Sequence, residues 1–296
     1  MPVIVTDIAP IVPLLRCASR TVHRTDGGLF ITQCTAPPTV TTYCQNHIYN
    51  GIPYRPASSR HPRLRYMLDA FESTDSSNQT PLVYRGLTNV GNTCYLNAIV
   101  TAIIWAFDRA QLAPTLQPLF EHITGGAALG SGSLNEHWER LLHGSSITNI
   151  NHMQDAAEAF EHICDKHLLQ WKGIQTATYT DVLWRIAVPD HDTVLQDLIC
   201  HGEIKPAKYI AIQLKIFNNN LEKNMHNIRI NKTLNIDGVS YELKSIVLHV
   251  GASINHGHYV SLCKVGEDWL TFDDETVSVD MPGGLARPYL CFYKLK

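Results

Sequence analysis

The apolar residues of this chain change their period part-way along, and that change limits what it can fold into. Between residues 81 and 172 the spacing is helical. Leu96–Phe107 is a long apolar stretch, Leu134, Trp138, Leu141 and Leu142 recur one turn apart, and Ala159, Phe160, Ile163 and Leu168 mark one face of a helix over Asp155–Leu169. From residue 209 onward the apolar residues come as short runs rich in β-branched and aromatic side chains. These are Tyr209–Phe217, Tyr241–Val250, Tyr259–Val265, Trp269–Asp273, Thr276–Val279 and Tyr289–Lys294. Asn218–Asn220 is a turn signal between the first two. Helices first and strands afterwards predict an α+β architecture. With 296 residues, 45% of them hydrophobic, the chain can bury one large core plus an extension.

The extension is the N-terminal part. Residues 1–72 mix Thr, Cys and short β-branched runs, such as Val3–Ile8 and Leu29–Thr32, with prolines at 10, 13, 37, 38, 53, 56 and 62 that argue against long helices. Arg63–Glu72 has the pattern of a short helix, and the polar segment Ser73–Thr80 reads as a linker. This places a boundary near residue 80, between an extension or small accessory domain over 1–80, its role open, and a main domain over 81–296.

A formal charge of −3 with a near-neutral pI gives no electrostatic reason to expect nucleic acid or an acidic membrane as a partner. Leu96–Phe107 is too short to span a bilayer and is interrupted by Asn97 and Thr101. No basic region precedes the apolar residues at the N-terminus, so no signal peptide is expected. Eight dispersed cysteines fit free thiols in a reducing compartment, and the chain reads as cytoplasmic with nothing that bars the nucleus.

One of those cysteines has a special place. Cys94 follows Gly91-Asn-Thr and opens the long helical pattern, with Asn92 or Thr93 in position to cap it. The positive end of the helix dipole and the unpaired N–H groups of a first turn favour thiolate over thiol. Gly86 and Gly91 can supply the backbone geometry of a tight loop before the helix. By position alone, an inert buried thiol is the commoner outcome. A base is available downstream: a reversal around Val265–Asp268 brings Phe272–Asp274 roughly opposite His258, so that one hairpin can pair an imidazole with a carboxylate. A surface hairpin with solvated charges would have the same pattern.

Several blocks in order then narrow the choice. Gly86–Asn97 closely resembles the cysteine box of the ubiquitin-specific proteases. Gln154–Phe160 resembles that family's Gln-Asp-x-x-Glu-Phe helix, with Ala159 where its Phe is expected. Pro206–Phe217 resembles its central strand, although Ile216 replaces the usual basic residue. Tyr241–Leu243, Gly257–Tyr259, Trp269–Asp274 and Val277 resemble its histidine box, and Tyr289–Tyr293 its closing strand. The resemblance covers roughly residues 84–295.

It implies a papain-like fold with a helical thumb and an antiparallel β-sheet palm. It also implies a thiol protease that hydrolyses peptide or isopeptide bonds after a C-terminal Gly-Gly through a thioester, with no cofactor. Cys94 would be the nucleophile, His258 the general base, Asp273 the third member and Asn89 an oxyanion donor, with Asp274 able to share or replace the role of Asp273. Asp155 and Glu158, at i and i+3 on one helix face, match positions that meet the basic tail of ubiquitin. Gly257 and Tyr259 would line its channel. Partners are then conjugates of ubiquitin or a ubiquitin-like protein. The chain departs from the family in having no Cys-x-x-Cys and a short segment from Gln170 to Lys205, so reduced fingers without structural zinc are expected. Cys17, His23, Cys34, Cys44 and His47 match no standard zinc finger spacing. Two other functions stay open: a viral-type protease that processes a polyprotein, and a silent ubiquitin-binding module.

Overall fold

A computed structural model describes residues 84–296 apart from 148, 169–170, 172, 176–179, 201–203, 219–221, 254–255, 280–281 and 283–284, and within the first 83 residues only the backbone of five short strands. Those strands are β1 (Val5–Thr6), β2 (Arg20–Thr25), β3 (Gly28–Gln33), β4 (Ile48–Tyr49) and β5 (Ile52–Pro53). The β-branched run Leu29–Thr32 lies within β3, which pairs antiparallel with β2. The expected helix over 63–72, the linker over 73–80 and the side chains of the Cys17–His47 group lie outside the described residues.

The helices come next. They are α1 (Cys94–Ala106), α2 (Gln117–Ile123), α3 (Ser131–Leu141) and α4 (Ala156–His167). Every residue of α1 except Trp105 is buried. A helix that is apolar all round belongs in the middle of a core rather than at its surface. Each fully buried Leu, Ile or Val contributes ~1.5–3 kcal/mol relative to exposure, so Leu96, Ile99, Val100 and Ile103, all at 0% exposure, anchor α1 on several sides.

The strands follow: β6 (Ile174–Gln175), β7 (Thr180–Asp181), β8 (Trp184–Ala187), β9 (Thr193–Val194), β10 (Tyr209–Lys215), β11 (Ile228–Asn231), β12 (Thr233–Ile236), β13 (Val239–Ser253), β14 (His256–Val265), β15 (Asp268–Asp273), β16 (Thr276–Ser278) and β17 (Ala286–Leu295). Eight of them form one sheet in the order β16-β15-β14-β13-β17-β10-β8, with β12 also paired to β13. Helix α1 packs on this sheet, and the Ser245 hydroxyl of β13 donates to the Ala102 carbonyl at 2.8 Å. The sheet is not wholly antiparallel as expected: β8 runs parallel to β10, with Ile212 opposite Trp184. The chain between them is long enough for the crossover that a parallel pair requires. β1 also runs parallel, beside β11. Among its described residues, the segment expected to hold reduced fingers contains strands of two to four residues, β6 to β9.

The reversal predicted at Val265–Asp268 joins β14 to β15, with Gly266 at φ +61°. A second two-residue turn, Asp237-Gly238, joins β12 to β13 with both residues at positive φ. That is the geometry an Asp-Gly hairpin turn favours.

Candidate active site

The loop before α1 is organised by one side chain. Asn89 Oδ1 accepts from the Gly91 and Thr93 amides, both at 3.1 Å, and from the Thr93 hydroxyl at 3.3 Å. Gly91 and Asn92 sit at φ +122° and +54°, a run that turns the chain sharply into the helix. Thr93 occupies the cap position, but its hydroxyl accepts from Val90 N–H and makes no cap bond to α1. Asn92 instead donates to the Asn151 carbonyl at 2.7 Å. Neither expected side-chain cap forms, because both groups bond within or across the loop. The first turn is thus left open to a ligand.

Cys94 is the first residue of α1 and is 6% exposed. Its side chain lies near enough to the His258 imidazole to act on that ring's charge. His258 lies in β14, opposite Val250 of β13, and its Nε2 is 2.6 Å from Asp273 Oδ1 at the end of β15. The Asp273 carboxylate first, and the neighbouring Cys94 side chain second, favour the imidazolium and raise its pKa from 6.5 to about 10. The sheet register therefore brings together the three side chains that the sequence had placed 179 residues apart, from 94 to 273.

Asp274 does something different from Asp273. Its Oδ2 is 3.9 Å from His258 Nε2. Its carboxylate accepts from Asn89 Nδ2 at 2.9 Å and from Asn97 Nδ2 at 2.8 Å. Its backbone carbonyl takes the Leu87 amide at 3.0 Å. A Cβ on Gly86 would meet that carbonyl at 1.9 Å, so Gly86 is needed for close approach rather than for an unusual φ. Burial pushes the Asp274 carboxyl up, against the pull of the two amides and the His258 charge. Asn97 also donates to the Leu87 carbonyl at 2.9 Å. The only sequence signal for Asn97 is a polar residue inside a helix otherwise buried and apolar.

The residues expected to meet a substrate tail are placed as follows. Asp155 caps α4, accepting from the Ala157 amide at 2.6 Å, and both its oxygens take the Tyr289 hydroxyl at 2.7 Å. Glu158 is exposed on the next turn and accepts from the Ser146 hydroxyl. Tyr259 is 5% exposed, and burial first, then the charge of Asp155, push its hydroxyl up. Packing thus takes most of Tyr259 and leaves little of it to line a channel. Gly257 has a reason the sequence did not offer. A Cβ there would lie 2.1 Å from Nε2 of the buried His249 and 3.0 Å from the Val250 carbonyl.

Among the described residues, one group of three side chains has metal-ligand spacing: His258, Asp273 and Asp274. The imidazole–carboxylate bond accounts for their proximity. The five described cysteines are free thiols. No helix among the described residues is long and apolar enough to cross a membrane.

Comparison with known proteins bears on this arrangement. The family described as ubiquitin carboxyl-terminal hydrolase matches residues 149–293. Ubiquitin carboxyl-terminal hydrolase 4 of Arabidopsis thaliana is 54% identical over 41 residues, 14% of this chain and 11% of that protein. Ubiquitin carboxyl-terminal hydrolase 13 of Saccharomyces cerevisiae is 46% identical over 65 residues, 18% of this chain and 9% of that protein. The chain is similar to the ubiquitin carboxyl-terminal hydrolase family over just under half of its length.

The chain spans about a tenth of the length of those curated relatives. Its fold is similar to a chain of the SAGA Ubp8/Sgf11/Sus1/Sgf73 DUB module, with a TM-score of 0.52 and 19% identity over 79% of this chain and 72% of that one. The same module bound to ubiquitin aldehyde matches with a TM-score of 0.51 and 18% identity, over 79% of this chain and 74% of that one. The fold is papain-like and α+β, as the resemblance implied.

Proposed function

We propose that this chain is a thiol-dependent deubiquitinase, hydrolysing peptide or isopeptide bonds after the C-terminal Gly-Gly of ubiquitin or a ubiquitin-like modifier. The observation that carries this reading is Cys94 at the head of α1, beside an imidazole that Asp273 grips at 2.6 Å, in a chain similar to a hydrolase family. With Nε2 engaged by Asp273, Nδ1 is the ring nitrogen left to serve Cys94.

The Cys94 thiolate attacks the carbonyl carbon of the last glycine, and the carbonyl oxygen takes the charge. His258 gives its proton to the leaving amine as the C–N bond breaks, leaving a thioester. It then takes a proton from water, which attacks the thioester and releases the carboxylate and Cys94. Asp273 holds the ring in one tautomer and stabilises the imidazolium. Asn89 Nδ2 carries two hydrogens, one bonded to Asp274 and the second available to the oxyanion together with the Cys94 amide. Loss of one such donor costs ~3 kcal/mol of transition-state stabilisation. The 2.6 Å and 3.9 Å separations from His258 favour Asp273 as the third member, with Asp274 as anchor of Asn89 rather than its replacement.

Glu158, being exposed, is the stronger candidate to meet a basic tail. Asp155 adds its charge from a position fixed by Ala157 and Tyr289. Gly257 and Tyr259 form the wall beside His258. The relatives' names do not favour a polyprotein-processing protease or a silent binding module. The catalytic unit spans 81–296, and residues 1–80 are an extension to it. Free thiols fit a reducing compartment, the cytoplasm or the nucleus.

The test is reaction with ubiquitin carrying a C-terminal electrophile, under reducing conditions. Wild type forms a covalent adduct and Cys94→Ala does not. No adduct with wild type, across ubiquitin and ubiquitin-like probes, overturns the reading.

A further inference from the structure

A second polar cluster lies behind the site, around Lys223. This side chain is 8% exposed. Its segment bridges at two places, Lys223 to Phe217 just past β10 and Glu222 to Ser253 of β13. Lys223 Nζ donates to the carbonyls of His249, Gly251 and Leu285, each at 2.8 Å, and lies 3.0 Å from His249 Nδ1. All four partners are neutral. Such a place is costly for a cation: burial, and then the Arg287 charge, push the ammonium down to about 7.

These contacts meet the strand of His258 by two routes. The first is through β13. Val250 is the residue opposite His258, and the carbonyls on either side of it, those of His249 and Gly251, are the ones Lys223 holds. There the ladder breaks: Gly251 has φ +134° and the register shifts between Val250 and Ser253. A backbone carbonyl that leaves a ladder inside the protein needs another donor, and for Gly251 Lys223 supplies it.

The second route is through the His249 ring. It is 0% exposed, edge-on to Phe217 and Tyr259 with centroids at 5.2 Å and 5.1 Å, and held at Nδ1 by Lys223. Its Nε2 is buried without a hydrogen-bond partner. That nitrogen fills the space a Gly257 Cβ would take, so the ring fixes the backbone immediately before His258.

We propose that Lys223 is a positioning residue for His258: its ammonium holds the backbone facing His258 and, through His249, the backbone preceding it, so that the imidazole stays in line between Asp273 and Cys94. The proposal rests on the function proposed above but has a readout of its own. Lys223→Met keeps the volume and removes the donors. The expected result is a folded variant whose His258 imidazole, followed by nitrogen NMR, titrates at least one pH unit lower than in wild type. With a fluorogenic ubiquitin C-terminal amide, kcat falls at least tenfold while KM stays within twofold. A residue that is merely structural lowers the thermal midpoint and leaves both quantities of the folded protein unchanged, and that result overturns the proposal. If wild type shows no turnover, the function proposed above fails, and the His258 titration still decides the role of Lys223. If Lys223→Met does not accumulate folded, Lys223→Gln, whose two N–H groups can replace at most two of the four contacts, is measured in the same way, and a smaller lowering of the His258 titration is expected. An unshifted His258 titration in that variant also overturns the proposal.

Discussion

The two sides of strand β14 are held by charges of opposite sign, the half-buried Asp274 on one side and the buried Lys223 on the other. The Asp274 carboxylate is met by two side-chain amides, Asn89 and Asn97, and lies 3.9 Å from the His258 ring. Lys223 is met by three backbone carbonyls and a neutral ring. Burial drives both groups toward their neutral forms, raising the Asp274 pKa and lowering that of Lys223. Neither cluster is a close ion pair, in which one partner's titration would release the other. The difference lies in what each reaches. Asp274 connects side chains that face the reaction, whereas Lys223 connects backbone. Loss of Asp274 should therefore disturb chemistry directly, and loss of Lys223 only through geometry.

The sharpest way to break this comparison is Asp274→Ala. It frees Asn89 from its anchor and leaves one buried Asn97 N–H unpaired. Turnover should fall ~100-fold, as for loss of an oxyanion donor, and stability by ~1–3 kcal/mol. Steady-state kinetics beside thermal unfolding check this. Lost stability with intact turnover would make Asp274 the structural partner rather than the reactive one.

Asp273→Asn should lower turnover ~10- to 100-fold, within the range of an impaired general base. It should also move the alkaline limb of the pH–rate profile down, from near 10 toward 6.5. The raised His258 pKa contributes stability that is complete below 6.5 and is lost as pH rises through about 10. Unfolding measured across that window should show this slope flatten in the variant.

Asn97→Ala removes the bonds to Leu87 and Asp274 but leaves Asn89 in place. About a tenfold loss of turnover is expected, within the range for one buried hydrogen bond to a charged group. A loss as large as that of Asp274→Ala would show that Asn97, not Asn89, is the link that matters. The smallest effect is expected from Glu158→Gln. This exposed residue should change stability by less than ~0.5 kcal/mol, with KM for a ubiquitin substrate raised a few-fold and kcat unchanged. An unaltered KM would remove Glu158 from tail binding.

Much of this was legible in the amino-acid sequence. The change of period determined α+β, because side-chain burial on helices and strands repeats at different intervals. The apolar run from Leu96 determined a central helix, and the Val265–Asp268 turn determined the hairpin that joins His258 to Asp273. These are local patterns, or ordered blocks such as Gly86–Asn97, and a linear chain carries them openly. What only the tertiary structure decided is which polar groups share a partner. Asn89, Asn97 and Asp274 meet across 185 residues, Lys223 reaches carbonyls of His249, Gly251 and Leu285, and β8 lies parallel to β10. Carbonyl acceptors carry no residue identity, and one buried Lys or Asn looks in sequence like any other. Their roles follow from where the sheet closes on α1, which is why Cys94 and His258 could be singled out in the sequence as candidates and the clusters around Asp274 and Lys223 could not.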